Sequence, residues 1–172
     1  MDDYREEVER LARARTGEPI YNSSVDHAAV IVEKLFRHAK SEIRIISGSL
    51  KNDLFGQDAL AREAEAFLEL EDTKIQIAIE NGVASLDPAS CFLSVLKKFK
   101  DRVELREMHA HVPAAFKYHF TLADDDSYRF EPDKTESKAV GVFGDELGAR
   151  KLREAFDVIW DASDPVLLPA NA

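Results

Sequence analysis

Between His109 and Lys134 the chain concentrates side chains that can hold or move charge. His109-Ala110-His111 would project two imidazoles from one face of an extended segment. His119 with the run Asp124-Asp125-Asp126 could complete a metal site with them. The simpler reading is a polar turn with loop histidines, because Asp124-Asp125-Asp126-Ser127 lacks the later glycine and glutamate of a calcium loop, and no metal site is expected. Strand alternation sets Lys117, His119 and Thr121 on one face. Arg129, in the alternating run Tyr128-Arg129-Phe130-Glu131, can hold an anion or pair with Glu131 or a turn aspartate, and pairing is the favoured reading in so acidic a chain. Cys91 stands near a helix start, where a thiol can be activated, but with Phe92 beside it a packing role is expected.

The scaffold for these residues is legible in outline. A chain of 172 residues, 33% charged and 45% hydrophobic, has the length and composition of one globular domain. No apolar run approaches the roughly 18 residues of a membrane span, and the acidic start Met1-Asp2-Asp3 is unlike a signal peptide, so a cytoplasmic location is expected. The single cysteine excludes an intrachain disulfide. The net charge of −10 disfavours nucleic-acid binding, whose affinity comes mainly from clustered Lys and Arg. The one basic cluster, Lys97-Lys98-Phe99-Lys100 with Arg102, reads as a solvated helix end.

Residues 2–15 read as a charged helix whose apolar stripe is Val8, Leu11 and Ala12, a peripheral or partner-facing arm. Asn22-Ser23-Ser24 offers an N-cap to a helix with Ala28, Ile31, Val32, Leu35 and Ala39 on its apolar face. Residues 42–47 form a buried strand, 54–70 a helix, and 75–79 a second strand, a crossover unit that favours parallel pairing. Asp87-Pro88 is expected to open the next helix, with Pro88 in its first turn. Strands follow at 103–105, at 116–123 and 128–130 around the aspartate turn, and at 139–143, before a closing helix at 146–160. Trp160 reads as a core or dimer-interface anchor.

This order, together with His119, Thr121 and Asp126, resembles the phospholipase D-like family over residues 25–161. The family motif is His, any residue, Lys, four residues, Asp. Here threonine occupies the lysine position, and Asp133, Lys134 and Glu136 stand where the family has Gly-Ser, one residue, then Asn. The resemblance implies an α/β fold, a phospholipase D-like mixed β-sheet flanked by helices on both faces. With the charged helix and its break at Gly17-Glu18-Pro19, and the two prolines after Ser163, the chain divides into a charged helical arm at 1–20, the domain at 21–163 and an extended tail at 164–172. The resemblance gives His119 and Asp126 the catalytic positions and Thr121 the phosphate-holding one, with no cofactor; Lys117, on the same strand face, and Arg129 and Lys134 on the following segment are the cations that could bind a ligand in place of the missing lysine.

Losing a cation that stabilises phosphate oxygens costs on the order of 10²- to 10³-fold in rate. The expected function is therefore a module with a degenerate motif, noncatalytic, binding a phosphate-containing ligand or a protein partner. Family sites use two motif copies and this chain has one, so the resemblance implies a homodimer. One alternative is an active, metal-independent homodimeric phosphodiesterase or nuclease with His119 as nucleophile and a cation substituting for the lysine. Another is an interaction subunit of a larger complex that docks through an exposed stripe on residues 4–12.

Overall fold

The computed structural model describes residues 1–136 and 138–169. The chain runs α1 (Asp2–Ala14), β1 (Ile20–Asn22), α2 (Val25–His38), β2 (Glu42–Ser47), α3 (Asn52–Phe55), α4 (Asp58–Glu69), β3 (Lys74–Ile79), α5 (Cys91–Lys98), β4 (Val103–Met108), β5 (His119–Ala123), β6 (Ser127–Glu131), β7 (Ala139–Phe143), α6 (Glu146–Asp161) and β8 (Ser163–Val166). The strands form one eight-stranded sheet in the order β1-β7-β6-β5-β2-β3-β4-β8. Strands β2, β3 and β4 are parallel, and the remaining pairs are antiparallel.

Alternation along the strands divides the apolar residues between two cores. Ile43, Ile45, Ile75, Ile77 and Ile79 face a cluster that takes in Val8 and Leu11 of α1, Ile31, Leu35 and Phe36 of α2, Leu60 and Phe67 of α4, and Phe92 of α5. Ile46, Ala78, Phe120 and Leu122 face the opposite way, onto Ala149, Phe156, Ile159 and Trp160 of α6. The sheet is thus covered by helices on both faces, as its buried parallel centre requires.

Two end regions depart from the expected layout. The apolar stripe of α1, which the docking alternative requires to be exposed, lies in the core: Val8, Leu11 and Ala12 are at most 2% exposed. The stripe is short, but α2 offers it a complementary face. The chain then adds β1 as an edge strand, too short to carry a periodic signal. At the other end Ser163–Val166 pairs with β4; residues 170–172 of the tail lie outside the described residues.

Within the domain, α5 begins at Cys91 and not at Pro88. The Ser90 hydroxyl caps it by accepting from Leu93 N, while Asp87 closes a turn on Ala89 N. That start leaves Cys91 exposed where packing was expected. Its thiol is pushed up by a hydrogen bond with Asp58, the reverse of activation. At the far end of this helix, Lys98 meets Glu65 at 2.5 Å and Arg102 donates to the carbonyls of Leu68 and Leu70 that end α4.

Charge as well as apolar area holds α1 to α2. Arg5 donates to both Glu33 oxygens at 2.6 Å. Glu9 accepts from Arg13 at 2.7 Å and lies 3.1 Å from Lys34 Nζ and 3.2 Å from His38 Nε2. Burial alone would raise the Glu9 carboxyl, but the hydrogen bond from Arg13 and the adjacent Lys34 and His38 outweigh it and bring the pKa from 4.5 to about 2. A depressed carboxyl stabilises the fold fully above its unfolded pKa and loses that contribution as pH falls through the folded one. The urea midpoint is therefore expected to drop between about pH 4.5 and 2. Glu9→Gln should flatten that part of the profile, and an unchanged profile would contradict the assignment.

Candidate functional site

A cleft opens at the carboxyl end of β2, where the sheet order switches from the parallel partner β3 to the antiparallel partner β5. Such switch points collect ligand sites in α/β folds, because the chain departs in opposite directions and leaves a crevice. The cleft has a volume of about 220 Å³. Its floor is Thr121 and Arg129. His119, Glu131 and Lys134 form one wall, and Val25, Ala28, Leu54 and Phe55 form the other. Lys51, Asp53 and Glu136 stand exposed at the rim.

Pairing of β5 with β6 assembles the polar wall. His119 lies opposite Glu131 and Thr121 opposite Arg129, so all four side chains share the face turned to α2. Gly48 lies beside the imidazole: a Cβ there would touch His119 Cε1 at an ordinary 3.6 Å and press on the Asn81 amide at 3.2 Å. His119 Nε2 lies 2.8 Å from Glu80 Oε1, and Nδ1 faces Glu131 Oε2 at 3.7 Å. An ionised carboxylate only accepts, so Nε2 carries the proton and donates it to Glu80.

Lys134 closes the far side of Glu80. Its ammonium meets the two carboxylate oxygens at 3.0 and 3.1 Å, donates to Pro113 O at 2.9 Å and sits 4.8 Å from the centre of the Phe116 ring. Three partners match the three donors of an ammonium. Burial alone would push the Glu80 carboxyl up; hydrogen bonds from His119 and Lys134 hold it below the ordinary range.

Arg129 is 4% exposed. Its Nε donates to Asn22 Oδ1 at 3.1 Å and its Nη2 to Glu131 Oε1 at 3.3 Å. Burial draws the guanidinium below its ordinary value, with Glu131 opposing. Tyr4 of α1 lies close by and donates to the Tyr21 carbonyl at 3.2 Å. Burial pushes its phenol up to about 12, with Arg129 pulling the other way.

The residues singled out by the sequence therefore fall into two groups. His119, Thr121, Arg129 and Lys134 line the cleft together. Lys117 lies outside that lining: it precedes β5, is exposed, and has Asp133 beside it. Asp126 lies at the other end of the hairpin, roughly 13 Å along the strand from His119 at about 3.3 Å per residue. There it pairs with Arg15, and Asp124 accepts from Lys40 N, Ser41 N and Glu42 N. The aspartate turn staples the hairpin to the start of β2, which is a folding role with visible partners.

His109 pairs with Asp164 at 2.9 Å, and among the described residues no three His, Cys, Asp or Glu side chains cluster to hold a metal. Sequence reasoning missed Glu80, Glu131 as a histidine partner, and Asn22. Their only signal was position, each at a strand end, and the pairings that bring them to His119 and Arg129 are long-range.

The model of one protein family matches residues 24–167. The chain belongs to that family, Domain of unknown function (DUF7931). No curated protein matches the sequence.

Among solved structures, this DUF7931 chain is similar to TrmBL2, an archaeal chromatin protein that binds DNA, at a TM-score of 0.63 and 15% identity, covering 96% of this chain and 61% of that one. It thus spans less than two thirds of the TrmBL2 chain. It is similar to Nuc from Salmonella typhimurium, a phospholipase D family member, at a TM-score of 0.55 and 15% identity over 87% of this chain and 99% of that one. NucT from Helicobacter pylori gives a TM-score of 0.60 and 10% identity over the same shares, 87% and 99%. At these identities the likeness establishes the fold: the protein has a phospholipase D-like α/β fold. No helix among the described residues is long and apolar enough to cross a membrane.

Proposed function

We propose that this protein is a noncatalytic module of phospholipase D-like fold that uses its cleft to bind a ligand. The observation carrying this reading is the state of His119. With Nε2–H given to Glu80, only the neutral imidazole has a lone pair for nucleophilic attack, on Nδ1, and Nδ1 faces the Glu131 carboxylate at 3.7 Å. A phosphodiester anion brought to Nδ1 would meet that carboxylate at close range. Two like charges about 4 Å apart repel by about 4 kcal/mol at an effective dielectric of 20. The lysine position offers a neutral hydroxyl at Thr121, and the Lys134 ammonium has its donors taken by Glu80 and Pro113. Attack at Nδ1 is opposed by Glu131, and the one cation level with the lysine position, Arg129, is already paired with Glu131, while the cleft itself is open.

The DNA binding of TrmBL2 is not extended to this chain. Its net charge is −10, and at the rim Asp53 and Glu136 outnumber Lys51, so a polyanion meets net repulsion at the cleft mouth.

The test is hydrolysis of bis-p-nitrophenyl phosphate and of single-stranded DNA, with EDTA and with added divalent metal, by the wild type and by His119→Ala. No turnover above the His119→Ala background is expected. Cleavage that survives EDTA and disappears in His119→Ala would overturn the reading in favour of an active enzyme, with two chains each supplying one histidine.

A further inference from the structure

We propose that Arg129, held from below by Asn22 of the N-terminal arm, is the seat for one small anionic group, a phosphate monoester or a carboxylate, at the floor of the cleft. The proposal rests on the noncatalytic reading only in taking the bound anion as retained and not consumed.

Three observations carry it. First, a guanidinium has five N–H donors and keeps its charge at any working pH. Arg129, 4% exposed, spends Nε on a neutral amide and Nη2 on Glu131 at a long 3.3 Å. Glu131 also faces His119 Nδ1, so this single carboxylate is shared between two groups. A buried charge so weakly compensated is costly unless a further partner arrives.

Second, the cleft puts the space for that partner beside the guanidinium. Thr121 is its cross-strand neighbour and is 3% exposed. Arg129 thereby supplies a cation from β6 at the level where the phospholipase D-like motif has its lysine on β5. Third, the size and walls select the ligand. A volume of about 220 Å³ lies below the ~300–1,000 Å³ of ordinary ligand sites, which suits a small molecule or a terminal group. Val25, Ala28, Leu54 and Phe55 offer an apolar wall to a compact organic body.

Asn22 lies outside residues 24–167, the span that the family model matches. It is 3% exposed and belongs to β1, the strand that the arm adds beside β7. Tyr4 of the arm stacks on His27 at 3.8 Å, close enough to Arg129 to feel its charge. The arm thus completes the site: it fixes the guanidinium with a neutral acceptor and adds no second carboxylate to Glu131. A carboxylate at position 22 would neutralise it.

The test is titration of the full chain with inorganic phosphate, phenyl phosphate and benzoate, by calorimetry and by chemical-shift change. Wild type should saturate with at least one anion, and the preference between phenyl phosphate and benzoate assigns the headgroup. Asn22→Asp keeps the acceptor oxygen and the fold, checked by circular dichroism and the urea midpoint, yet should weaken binding at least ten-fold. A purely structural Asn22 would leave affinity unchanged. Thr121→Val, close in shape, should weaken it several-fold.

No saturable binding by wild type would overturn the proposal. So would wild-type affinity in both Asn22→Asp and Thr121→Val, or loss on Lys51→Ala while both of those variants bind normally, which would put the anion at the rim. Failure here leaves the noncatalytic reading standing. Hydrolysis dependent on His119 would remove that reading while leaving the anion seat testable.

Discussion

Glu80→Ala is expected to destabilise the protein by about 3 kcal/mol, the lower end of the range for removing one partner of a buried ion pair. The side chain is 10% exposed and is the common partner of His119 and Lys134. Without it, the ammonium keeps only Pro113 O and the Phe116 ring, and the imidazole keeps only Glu131. Both stay within a wall too enclosed to hydrate them fully. The pH dependence makes the prediction specific. Because the Glu80 carboxyl is held below its ordinary value, its stabilisation is present above about pH 4.5 and fades on acidification. The gap between wild type and Glu80→Ala should therefore narrow as pH falls below 4.5, as read from urea midpoints. A gap independent of pH would mean that Glu80 acts through packing and not through charge.

Gly144→Ala should cost about 3 kcal/mol or more, through backbone strain at a left-handed position together with a clash. Gly144 has φ +87°, a region closed to most L residues, and a Cβ there would lie 2.1 Å from Arg15 O and 2.4 Å from Arg15 C. Both obstacles are backbone atoms, so no rotamer relieves them. Arg15 itself is the left-handed cap of α1, and Gly17 N donates to Phe143 O at 2.9 Å immediately beyond. The substitution would lever the end of α1 away from the sheet and loosen the arm that carries Tyr4 and Asn22. Thermal and urea midpoints should both fall, and amide exchange should accelerate first in residues 2–22. Unchanged midpoints would show that the arm and sheet can separate freely at this point.

These two sites also mark how differently the fold and the cleft could be read. The helices and central strands were legible because their signals are local. Ile43, Ile45, Ile75 and Ile77 alternate within six-residue strands, and Leu60, Ala64, Phe67 and Leu68 recur at helical spacing. Ser24 stands where a cap must stand. The elements that escaped carry little local signal. Strand β1 is three residues long. Strand β8 contains Pro165, a residue tolerated only at an edge, which is where β8 lies. At α5, proline at 88 and serine at 90 both fit a helix start, and the serine hydroxyl decided it.

The sequence by itself determined the order of elements, the burial of the parallel strands, and the presence of His119, Thr121 and Arg129 on alternating strands, because side-chain periodicity follows from backbone geometry. Only the tertiary structure decided what those residues can do. Glu80 is 39 residues from His119 and Asn22 is 107 residues from Arg129. Whether an imidazole faces a carboxylate or an open cleft, and whether a guanidinium is neutralised or left with charge to spare, depends on contacts a few ångströms long between strands far apart in the chain. Electrostatic energy falls with distance through space and takes no account of separation along the sequence.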